Sequence, residues 1–499
     1  MKKLLIANRG EIAVRIIRSA RVMGLRTVAV YSDADVNAAH VAMADEAYPI
    51  GPPEPAQSYL NMLAILDAAR IAGADAIHPG YGFLSERPEF AQAVAAAGFT
   101  FVGPPAEVMA ALGDKLAARQ IAVKADVPVV PGIDTSDLST TRSFGARVGY
   151  PILAKAAAGG GGRGMRVVES AEQLESALEA AAREAQAAFG DGRVFLEKYL
   201  ARPRHVEIQI LGDNHGKVIA LGERECSIQR RHQKIIEESP APGLSEQVRA
   251  RMVEAALRLA QAAGYRNAGT AEFLVDGNDF YFLEVNARLQ VEHPITELRF
   301  DRDLVCDQIA IAEGARVSDP IVPHGAAIEC RVNAEDAAHD FRPAVGPVAH
   351  LALPSGPGVR VDTHLAAGAE VSPYYDSLIA KVITWGQDRE LARKRMVAAL
   401  DEFSVLGPHT SAAFLRDVIA SEPFARADLS TRFLPEFFPT WKLSDDKQKI
   451  ALLAAALMGS TASAKMSGSD GGEGARRETT PAARSPWVGL GHFEPWERR

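Results

Sequence analysis

The first part of the chain alternates between short apolar segments and longer segments with helical spacing. Residues 3–7 and 26–31 predict buried strands, and residues 11–23 between them carry apolar side chains at helical spacing. A strand, a helix and a strand within about 30 residues form a βαβ unit, which joins parallel strands. The alternation continues to about residue 110, so we predict an α/β fold that opens with a parallel-sheet domain over residues 1–110.

The first turn of this domain bears on dinucleotide binding. Residues 8–11 read Asn-Arg-Gly-Glu and lack the G-x-G-x-x-G fingerprint, although Asp33 could stand in for the acid that binds a ribose. We therefore interpret residues 1–110 as a Rossmann-like scaffold that does not bind NAD.

The pattern changes after residue 110. A helix is predicted near 114–125, strands around 151–156 and 164–168, a helix at 171–188, and further strands and hairpins at 194–236 and 268–285. Residues 326–440 mix short strands with helices, which predicts an α+β C-terminal domain. Ser, Gly, Ala and Thr dominate beyond residue 440, so residues 441–499 are predicted to be a linker-like, partly disordered tail.

Composition narrows the class of function. The chain has 499 residues, 47% of them hydrophobic, and its formal net charge of −8 is unfavourable for a protein that mainly grips nucleic acid. Its three cysteines lie far apart, so a disulfide framework or zinc ribbon is not expected. The apolar runs are too short for a signal peptide or a bilayer span. We expect a cytoplasmic protein without membrane or nucleic-acid partners.

A glycine-rich loop separates two of the predicted strands. Five of the six residues from 159 to 164 are glycine, with Lys155 before them and Arg163 among them. Glycines let backbone N–H groups approach an anion closely, but the Walker ending is missing and a strand follows instead of a helix. The loop is therefore predicted to be a flap over phosphates, and a flexible surface turn is the alternative.

Two glutamates are predicted to face each other across a hairpin. With residues 277–279 as its turn, Glu272 and Glu284 are equidistant from the centre and share one face. Facing carboxylates repel and raise one pKa unless a cation lies between them, and oxygen ligands favour Mg²⁺ or Mn²⁺. If the strand stays extended to residue 292, polar side chains occupy one face at every second position: Glu284, Asn286, Arg288, Gln290 and Glu292. This predicts a site, and a solvated sheet face is the alternative.

Two further clusters are weaker signals. Residues 230–234 form a basic run that could hold phosphates or a small anion, or could be a solvated patch. Arg331 lies between acids on a predicted strand.

Taken together, these segments resemble the biotin carboxylase family of ATP-grasp ligases over about residues 1–440. The matching segments are ANRGEIAVRI, HPGYGFLSE, GDK around Lys115, GGGGRGMR, EKYL at 197–200, PRHVEIQ at 203–209, IQRRHQKIIEESPAP, EVNARLQVEHPITE, IECRVNAED and PYYDSLIAK. The resemblance implies a Rossmann-like N-terminal domain, an ATP-grasp region over 111–325 with a mobile lid at about 127–200, and a C-terminal domain over 326–440. It also implies ATP-dependent carboxylation of biotin with bicarbonate through carboxyphosphate.

The resemblance assigns roles residue by residue. Nucleotide-binding positions are matched by Lys115, Lys155, Gly161, Gly162, Arg163, Gly164, Met165, Glu197, Lys198, Leu200, His205, Gln229, His232 and Leu274. The metal ligands, for Mg²⁺ or Mn²⁺, are matched by Glu272 and Glu284, with Asn286 close by. The bicarbonate pocket is matched by Arg288, Gln290 and Val291, its general base by Glu292, and an anion-binding lysine by Lys234. The arginine that stabilises the biotin enolate is matched by Arg331, and positions near the biotin ring by Tyr81 and Asp376.

The chain departs from the family pattern in two places and ends in a tail without a carrier pattern. A turn glycine expected after Glu297 is missing, so the local loop is expected to differ, and Ala158 stands where many relatives have another glycine. Lys465 lacks the surroundings of a biotin acceptor and is interpreted as a linker lysine. We therefore expect biotin to arrive on a separate biotin carboxyl carrier protein.

The resemblance also bears on partners and on the final acceptor. It implies a carboxyltransferase subunit and a homodimer. The final acceptor stays open between acyl-CoA thioesters and pyruvate. Another ATP-grasp ligase, for example one that makes carbamoyl phosphate, and a non-catalytic nucleotide-binding assembly subunit are the alternatives.

Overall fold

The computed structural model describes residues 1–135, 137–157 and 165–443. Met1–Lys442 form one compact unit, and the architecture below is that of this unit. The predictions for Ala158, for Gly161, Gly162, Arg163 and Gly164, and for the tail beyond residue 443, including Lys465, lie outside the described residues.

The N-terminal part is a five-stranded parallel sheet in the order β3-β2-β1-β4-β5, as the alternating pattern predicts. Its strands are β1 (Lys3–Ile6), β2 (Arg26–Ser32), β3 (Glu46–Gly51), β4 (Ala76–His78) and β5 (Thr100–Phe101). The accompanying helices are α1 (Gly10–Val22), α2 (Ala39–Met43), α3 (Met62–Ala72), α4 (Pro88–Ala96), α5 (Ala106–Gly113) and α6 (Lys115–Lys124). The central strand is apolar on both faces because Leu4 and Leu5 belong to separate clusters on opposite sides of the sheet.

A small antiparallel sheet follows, in the order β6-β9-β7-β8. Its elements are β6 (Gly132–Asp134), α7 (Leu138–Val148), β7 (Ile152–Ala156), β8 (Met165–Val168), α8 (Leu174–Phe189) and β9 (Val194–Lys198). Helix α8 lays the buried side chains of Leu174 and Ala181 on this sheet, with Ile152 and Leu196 below them. The region therefore has its own core, and the glycine-rich segment joins β7 to β8.

An eight-stranded antiparallel sheet carries the rest of the unit, in the order β14-β13-β10-β11-β12-β15-β22-β20. Its first five strands along the chain are β10 (Arg204–Gly212), β11 (Val218–Arg230), β12 (Gln233–Ser239), β13 (Asn267–Asp276) and β14 (Asp279–Asn286). The other three are β15 (Ala326–Asn333), β20 (Val359–Thr363) and β22 (Leu378–Gly386). Because β12 pairs with β15, a single sheet crosses residue 325. The division of the chain at residues 110, 325 and 440 stays a prediction.

Helices and short strands complete the unit. The helices are α9 (Glu246–Ala262), α10 (His293–Phe300), α11 (Leu304–Ala312), α12 (Arg389–Glu402), α13 (Ala412–Ala420), α14 (Glu422–Ala425) and α15 (Phe433–Phe437). The short strands are β16 (Glu335–Asp336), β17 (Arg342–Pro343), β18 (Gly346–Pro347), β19 (His350–Ala352), β21 (Glu370–Val371) and β23 (Ser404–Leu406). Among the described residues, no helix is both long enough and apolar enough to cross a membrane.

The missing turn glycine has a structural counterpart. Helix α10 ends at Phe300, and Asp301 at its C-terminus has a φ of 47°. This left-handed conformation normally favours glycine, and aspartate is among the few other residues that adopt it readily. The turn is therefore made by Asp301 in place of the glycine that the family pattern leads one to expect.

Candidate active site

Three carboxylates lie in one row across adjacent strands of the large sheet. The register pairs Glu207 on β10 with Glu272 on β13, and Glu272 with Glu284 on β14. The predicted pairing of Glu272 with Glu284 is confirmed, but the three-residue turn is wrong. The strands pair up to Asp276 and Asp279, so the turn has two residues, and a bulge after Glu272 restores the pairing of the two glutamates.

Lys234 on β12 reaches over this row and gathers three carboxylates. Its Nζ donates to Glu207 Oε2 at 2.5 Å, to Glu272 Oε1 at 2.7 Å and to Glu292 Oε1 at 2.8 Å. Burial would lower the pKa of Lys234, but the surrounding carboxylates outweigh it and hold this pKa well above its usual range. The ammonium is therefore a fixed positive charge between three acids.

The predicted extended segment ends earlier than expected. Strand β14 stops at Asn286, and residues 287–292 turn into α10, so continued alternation to residue 292 is wrong. The turn nevertheless collects the same polar side chains. Arg288 donates to Gln290 Oε1 and to Asn286 Oδ1, both at 2.9 Å. Asn286 and Gln290 in turn donate to Glu272 Oε1 at 2.7 and 3.1 Å.

Glu292 is held between two cations. Its Oε1 accepts from Lys234 and its Oε2 from Arg331, each at 2.8 Å, and its side chain is 0% exposed. Burial would raise the pKa of Glu292, but Lys234, Arg331 and Arg224 outweigh it and hold this pKa well below the usual range. Glu292 is therefore an ionised carboxylate at neutral pH. Arg331 also donates to Glu237 Oε1 at 2.6 Å, which fixes its guanidinium.

The paired glutamates suit a divalent cation. Burial and the neighbouring Glu272 raise the pKa of Glu284, whereas Lys234 and His205 overcome burial and lower that of Glu272. Among the described residues the carboxylate of Glu284 has no hydrogen bond or ion pair, and it faces the cavity. An unmatched carboxylate beside an ionised one is the oxygen donor set that Mg²⁺ or Mn²⁺ prefers. Glu272 and Glu284 would hold the ion, with the amide of Asn286 beside them.

The nucleotide end of the site lies against the small sheet. Lys155 on β7 donates to Glu197 Oε2 on β9 at 2.7 Å. Burial lowers the pKa of Lys115 at the start of α6, although Glu284 opposes this. Gln229 donates to His205 Nδ1 at 2.7 Å, and His205 Nε2 lies 2.9 Å from Glu272 Oε2. At this end, His205 therefore connects directly with the carboxylate row, whereas Lys155 is paired with Glu197.

One cavity of about 1410 Å³ brings the predicted residues together. Except for Glu292, every predicted site residue within the described ranges lines it. Its lining includes Tyr81, Lys115, Lys155, Met165, Glu197, Lys198, Leu200, His205, Gln229, His232, Lys234, Glu272, Leu274, Glu284, Asn286, Arg288, Gln290, Val291, Arg331 and Asp376. Glu292 lies behind the wall and joins it through Lys234 and Arg331. Lys381 Nζ lies 6.0 Å from the ring centre of Tyr81, and Asp376 accepts from the Leu378 amide at 2.8 Å.

The basic run splits into two parts. Arg231 and His232 form the turn between β11 and β12, with φ values of 47° and 67°. Arg231 pairs with Asp340 at 3.0 Å, and Arg230 lies over the ring of Phe341. Only Lys234 enters the buried carboxylate cluster, while Arg231 and His232 also line the cavity, so anion binding by this run stays a prediction.

Sequence reasoning missed two carboxylates that complete the site. Glu207 alternates with apolar residues on β10 between His205 and Gln209, and this period-two pattern was a usable signal. Glu237 accepts from Arg331, and nothing in its Ile-Ile-Glu-Glu surroundings singles it out. Both residues are 0% exposed, so they act through the cations that they hold.

Together, the glycine-linked small sheet, the paired glutamates and the large antiparallel sheet define an ATP-grasp ligase, an ATP-dependent enzyme. Residues 1–109 match the model of the biotin carboxylase N-terminal domain, residues 114–319 that of the carbamoyl-phosphate synthase L chain ATP-binding domain, and residues 329–436 that of the biotin carboxylase C-terminal domain. The chain belongs to the biotin carboxylase family.

Individual relatives agree with this assignment. The chain is 49% identical to a biotin carboxylase of Haemophilus influenzae, over 87% of this chain and 98% of that protein. It is 46% identical to the α subunit of mitochondrial methylcrotonoyl-CoA carboxylase of Dictyostelium discoideum, over 98% of this chain and 70% of that protein.

A solved structure extends the agreement to the fold. The biotin carboxylase domain dimer of Hydrogenobacter thermophilus 2-oxoglutarate carboxylase was crystallised with MgADP, ADP and bicarbonate. It superposes with a TM-score of 0.84 at 43% identity, covering 89% of this chain and 99% of that one.

Proposed function

We propose that this protein uses ATP and bicarbonate to carboxylate biotin held on a carrier protein, giving carboxybiotin, ADP and phosphate. The observation that carries the proposal is the carboxylate of Glu292, clamped between Lys234 and Arg331 behind the cavity that Glu272 and Glu284 line. This arrangement combines a base, fixed cations and a metal site around one cavity.

The nucleotide is assigned to the end of the cavity that Lys115, Lys155 and His205 line. Cations there neutralise the charge that spreads over a transferring phosphoryl group. Glu272 and Glu284 would hold Mg²⁺ or Mn²⁺, which supplies electrostatic stabilisation of the phosphate oxygens when bound. The glycines at 161, 162 and 164, with Arg163, are assigned to the lid over the phosphates.

Bicarbonate is assigned to the turn after β14, beside Arg288, Gln290 and Val291. Glu292 accepts the bicarbonate proton, and the resulting oxygen anion attacks the γ-phosphorus as the bond to the ADP oxygen breaks. The product is carboxyphosphate, which releases CO₂ and phosphate. Lys234 and Arg331 keep Glu292 ionised and aligned before each turnover.

Biotin is assigned to the side of the cavity formed by Tyr81, Arg331 and Asp376. The phosphate released from carboxyphosphate accepts the proton of the ureido nitrogen, and the guanidinium of Arg331, which stays charged at every accessible pH, can stabilise the enolate oxygen that forms. That nitrogen then attacks CO₂ to give carboxybiotin. Glu237 holds the guanidinium of Arg331 in place for this step.

The protein is assigned to a multi-subunit acyl-CoA carboxylase, with a separate biotin carboxyl carrier protein and a carboxyltransferase subunit. The similarity to an acyl-CoA carboxylase α subunit over 98% of this chain supports this choice. A pyruvate-type carboxylase is the alternative, because the carboxyltransferase selects the acceptor. The protein is also assigned to the cytoplasm and to a homodimer. The dimer of the 2-oxoglutarate carboxylase domain supports the homodimer.

The decisive experiment measures ADP release by the purified full chain with Mg²⁺, with and without bicarbonate and free biotin. We expect bicarbonate-dependent ATP turnover that rises with biotin, and ¹⁴C-bicarbonate to appear in carboxybiotin. Arg331→Met should lose the biotin-dependent rise while the chain still binds ATP. Ammonia-dependent turnover in place of biotin-dependent turnover would favour a carbamoyl phosphate synthase, and ATP binding without turnover would favour an assembly subunit.

A further inference from the structure

A fully buried lysine lies directly behind the turn that is assigned to bicarbonate. Lys381 on β22 is 0% exposed, and the register pairs it with Arg331 on one side and Asp362 on the other. Cross-strand partners project from the same face of a sheet, so Lys381 and Arg331 point towards the same turn. Arg331 holds the carboxylate of Glu292, and Lys381 Nζ donates to the carbonyl of Val291 at 3.0 Å.

The turn needs such support because it has left the sheet. After β14 ends at Asn286, no strand of the part of the chain that the structure describes pairs with residues 287–292 to fix their carbonyl groups. The neighbouring Gln290 carbonyl lies 2.8 Å from His293 Nδ1, and the Val291 carbonyl accepts from Lys381. Two side chains from outside the turn therefore set the orientation of its last peptides.

The counter-charges of Lys381 come from separate parts of the chain. Its Nζ lies 3.3 Å from Glu11 Oε1 in the first turn of α1 and 3.8 Å from Asp362 Oδ2 on β20. Among the described residues, neither carboxylate oxygen of Glu11 has a hydrogen-bond partner. A buried ammonium is costly unless it is both paired and hydrogen-bonded. The Val291 carbonyl is the hydrogen-bond acceptor, and Glu11 is the nearest carboxyl group.

We propose that Lys381 is a positioning residue that fixes the Val291–Glu292 backbone for bicarbonate, with Glu11 as its nearest carboxyl group. The inference rests on the proposed function, which assigns bicarbonate to this turn. Lys381 acts through the Val291 carbonyl and does not itself contact the reacting atoms. Small displacements of such a turn lower the reaction rate strongly, because catalysis depends on the placement of the reacting groups.

The test compares Lys381→Met with Lys394→Met, a matched control on α12 whose lysine is exposed and pairs with Glu390. We expect Lys381→Met to raise the KM for bicarbonate at least tenfold while the KM for ATP stays within twofold. Lys394→Met should leave both constants unchanged. A merely structural role would lower the amount of folded enzyme without separating the two KM values.

A second variant keeps the test informative if the first folds poorly. Lys381→Met leaves Glu11 buried without its nearest cation, whereas Glu11→Gln/Lys381→Met removes both ionisable groups and should recover the melting temperature. We expect the double variant to keep the raised KM for bicarbonate. A KM that returns to the wild-type value together with the melting temperature, or that never rises, would overturn the inference. Absence of bicarbonate-dependent turnover in the wild type would instead overturn the proposed function.

Discussion

Two clusters of charged side chains, one around Glu297 and one around Glu272 and Glu284, differ in how completely their carboxylates are paired with cations. Around Glu297 on α10, Oε1 accepts from Arg15 at 2.7 Å and Oε2 from Arg360 at 2.8 Å, and Arg360 is also paired with Asp362. In the other cluster, Lys234 is shared by the carboxylates of Glu207, Glu272 and Glu292. The neighbouring Glu284 has no ion pair among the described residues.

This difference separates structural from functional charge. A buried carboxylate whose two oxygens are both matched by guanidinium groups holds segments of the chain together. A carboxylate that faces a cavity without a partner, as Glu284 does among the described residues, has free acceptor capacity for a metal or a proton. Burial alone therefore does not identify the site. Incomplete pairing at a cavity identifies its metal-binding end, whereas Glu292, whose two oxygens are paired with Lys234 and Arg331, is identified by its place behind the cavity wall.

The largest effect is expected for Glu292→Gln. The amide is nearly isosteric but cannot accept the bicarbonate proton, so we expect a loss on the order of a thousandfold in bicarbonate-dependent ATP turnover. The measurement is kcat from ADP release. Glu390→Gln, at an exposed residue on α12, is the control and should keep wild-type turnover. Full activity of Glu292→Gln would show that another group is the base.

Glu297→Gln should act on stability instead of turnover. Removing one partner of a buried, fully paired network leaves uncompensated cations, which costs about 3 kcal/mol of unfolding free energy. Urea unfolding measures this loss, and the turnover of the folded fraction should stay within threefold of wild type. Unchanged stability combined with lost turnover would mean that the two clusters are not distinct in role.

Glu284→Gln tests the unmatched carboxylate. Replacing a charged oxygen ligand by a neutral one should weaken Mn²⁺ binding on the order of tenfold or more. Free Mn²⁺ can be followed by electron paramagnetic resonance without any turnover. Glu254→Gln, at an exposed position on α9, serves as the control. Equal Mn²⁺ affinity in both variants would place the metal elsewhere.

The smallest effect is expected for the pH dependence of stability at Glu11. Burial, only partly offset by Lys381, raises the pKa of Glu11 from its usual 4.5 to about 7. Between these values the folded protein holds a proton that the unfolded chain has lost, so this group's contribution to stability falls as pH rises.

Glu11→Gln removes that dependence. The wild type should lose about 1 to 2 kcal/mol of unfolding free energy from pH 5 to pH 7 through this group, and the variant should not show this loss. Urea unfolding at the two pH values measures the change. A parallel dependence in both proteins would contradict a proton bound at Glu11.

Much of the site could be predicted because local alternation and residue type carry it. Glu272 and Glu284 were paired correctly although the turn between them was wrong, because a bulge compensated for the shorter turn. The alternation from Glu284 to Glu292 identified the right side chains, but α10 begins at His293 and the backbone turns before it. A pattern cannot distinguish an extended strand from a turn that delivers the same side chains to one cavity.

The sequence by itself determined the parallel N-terminal sheet, the polar face of the hairpin and the family of the enzyme. These features depend on local periodicity and on motifs read within short segments. Only the tertiary structure decided that Lys234 gathers carboxylates from three segments and that Lys381 reaches a carbonyl 90 residues away. Cross-strand register and burial create those contacts, and both depend on segments that are distant in sequence.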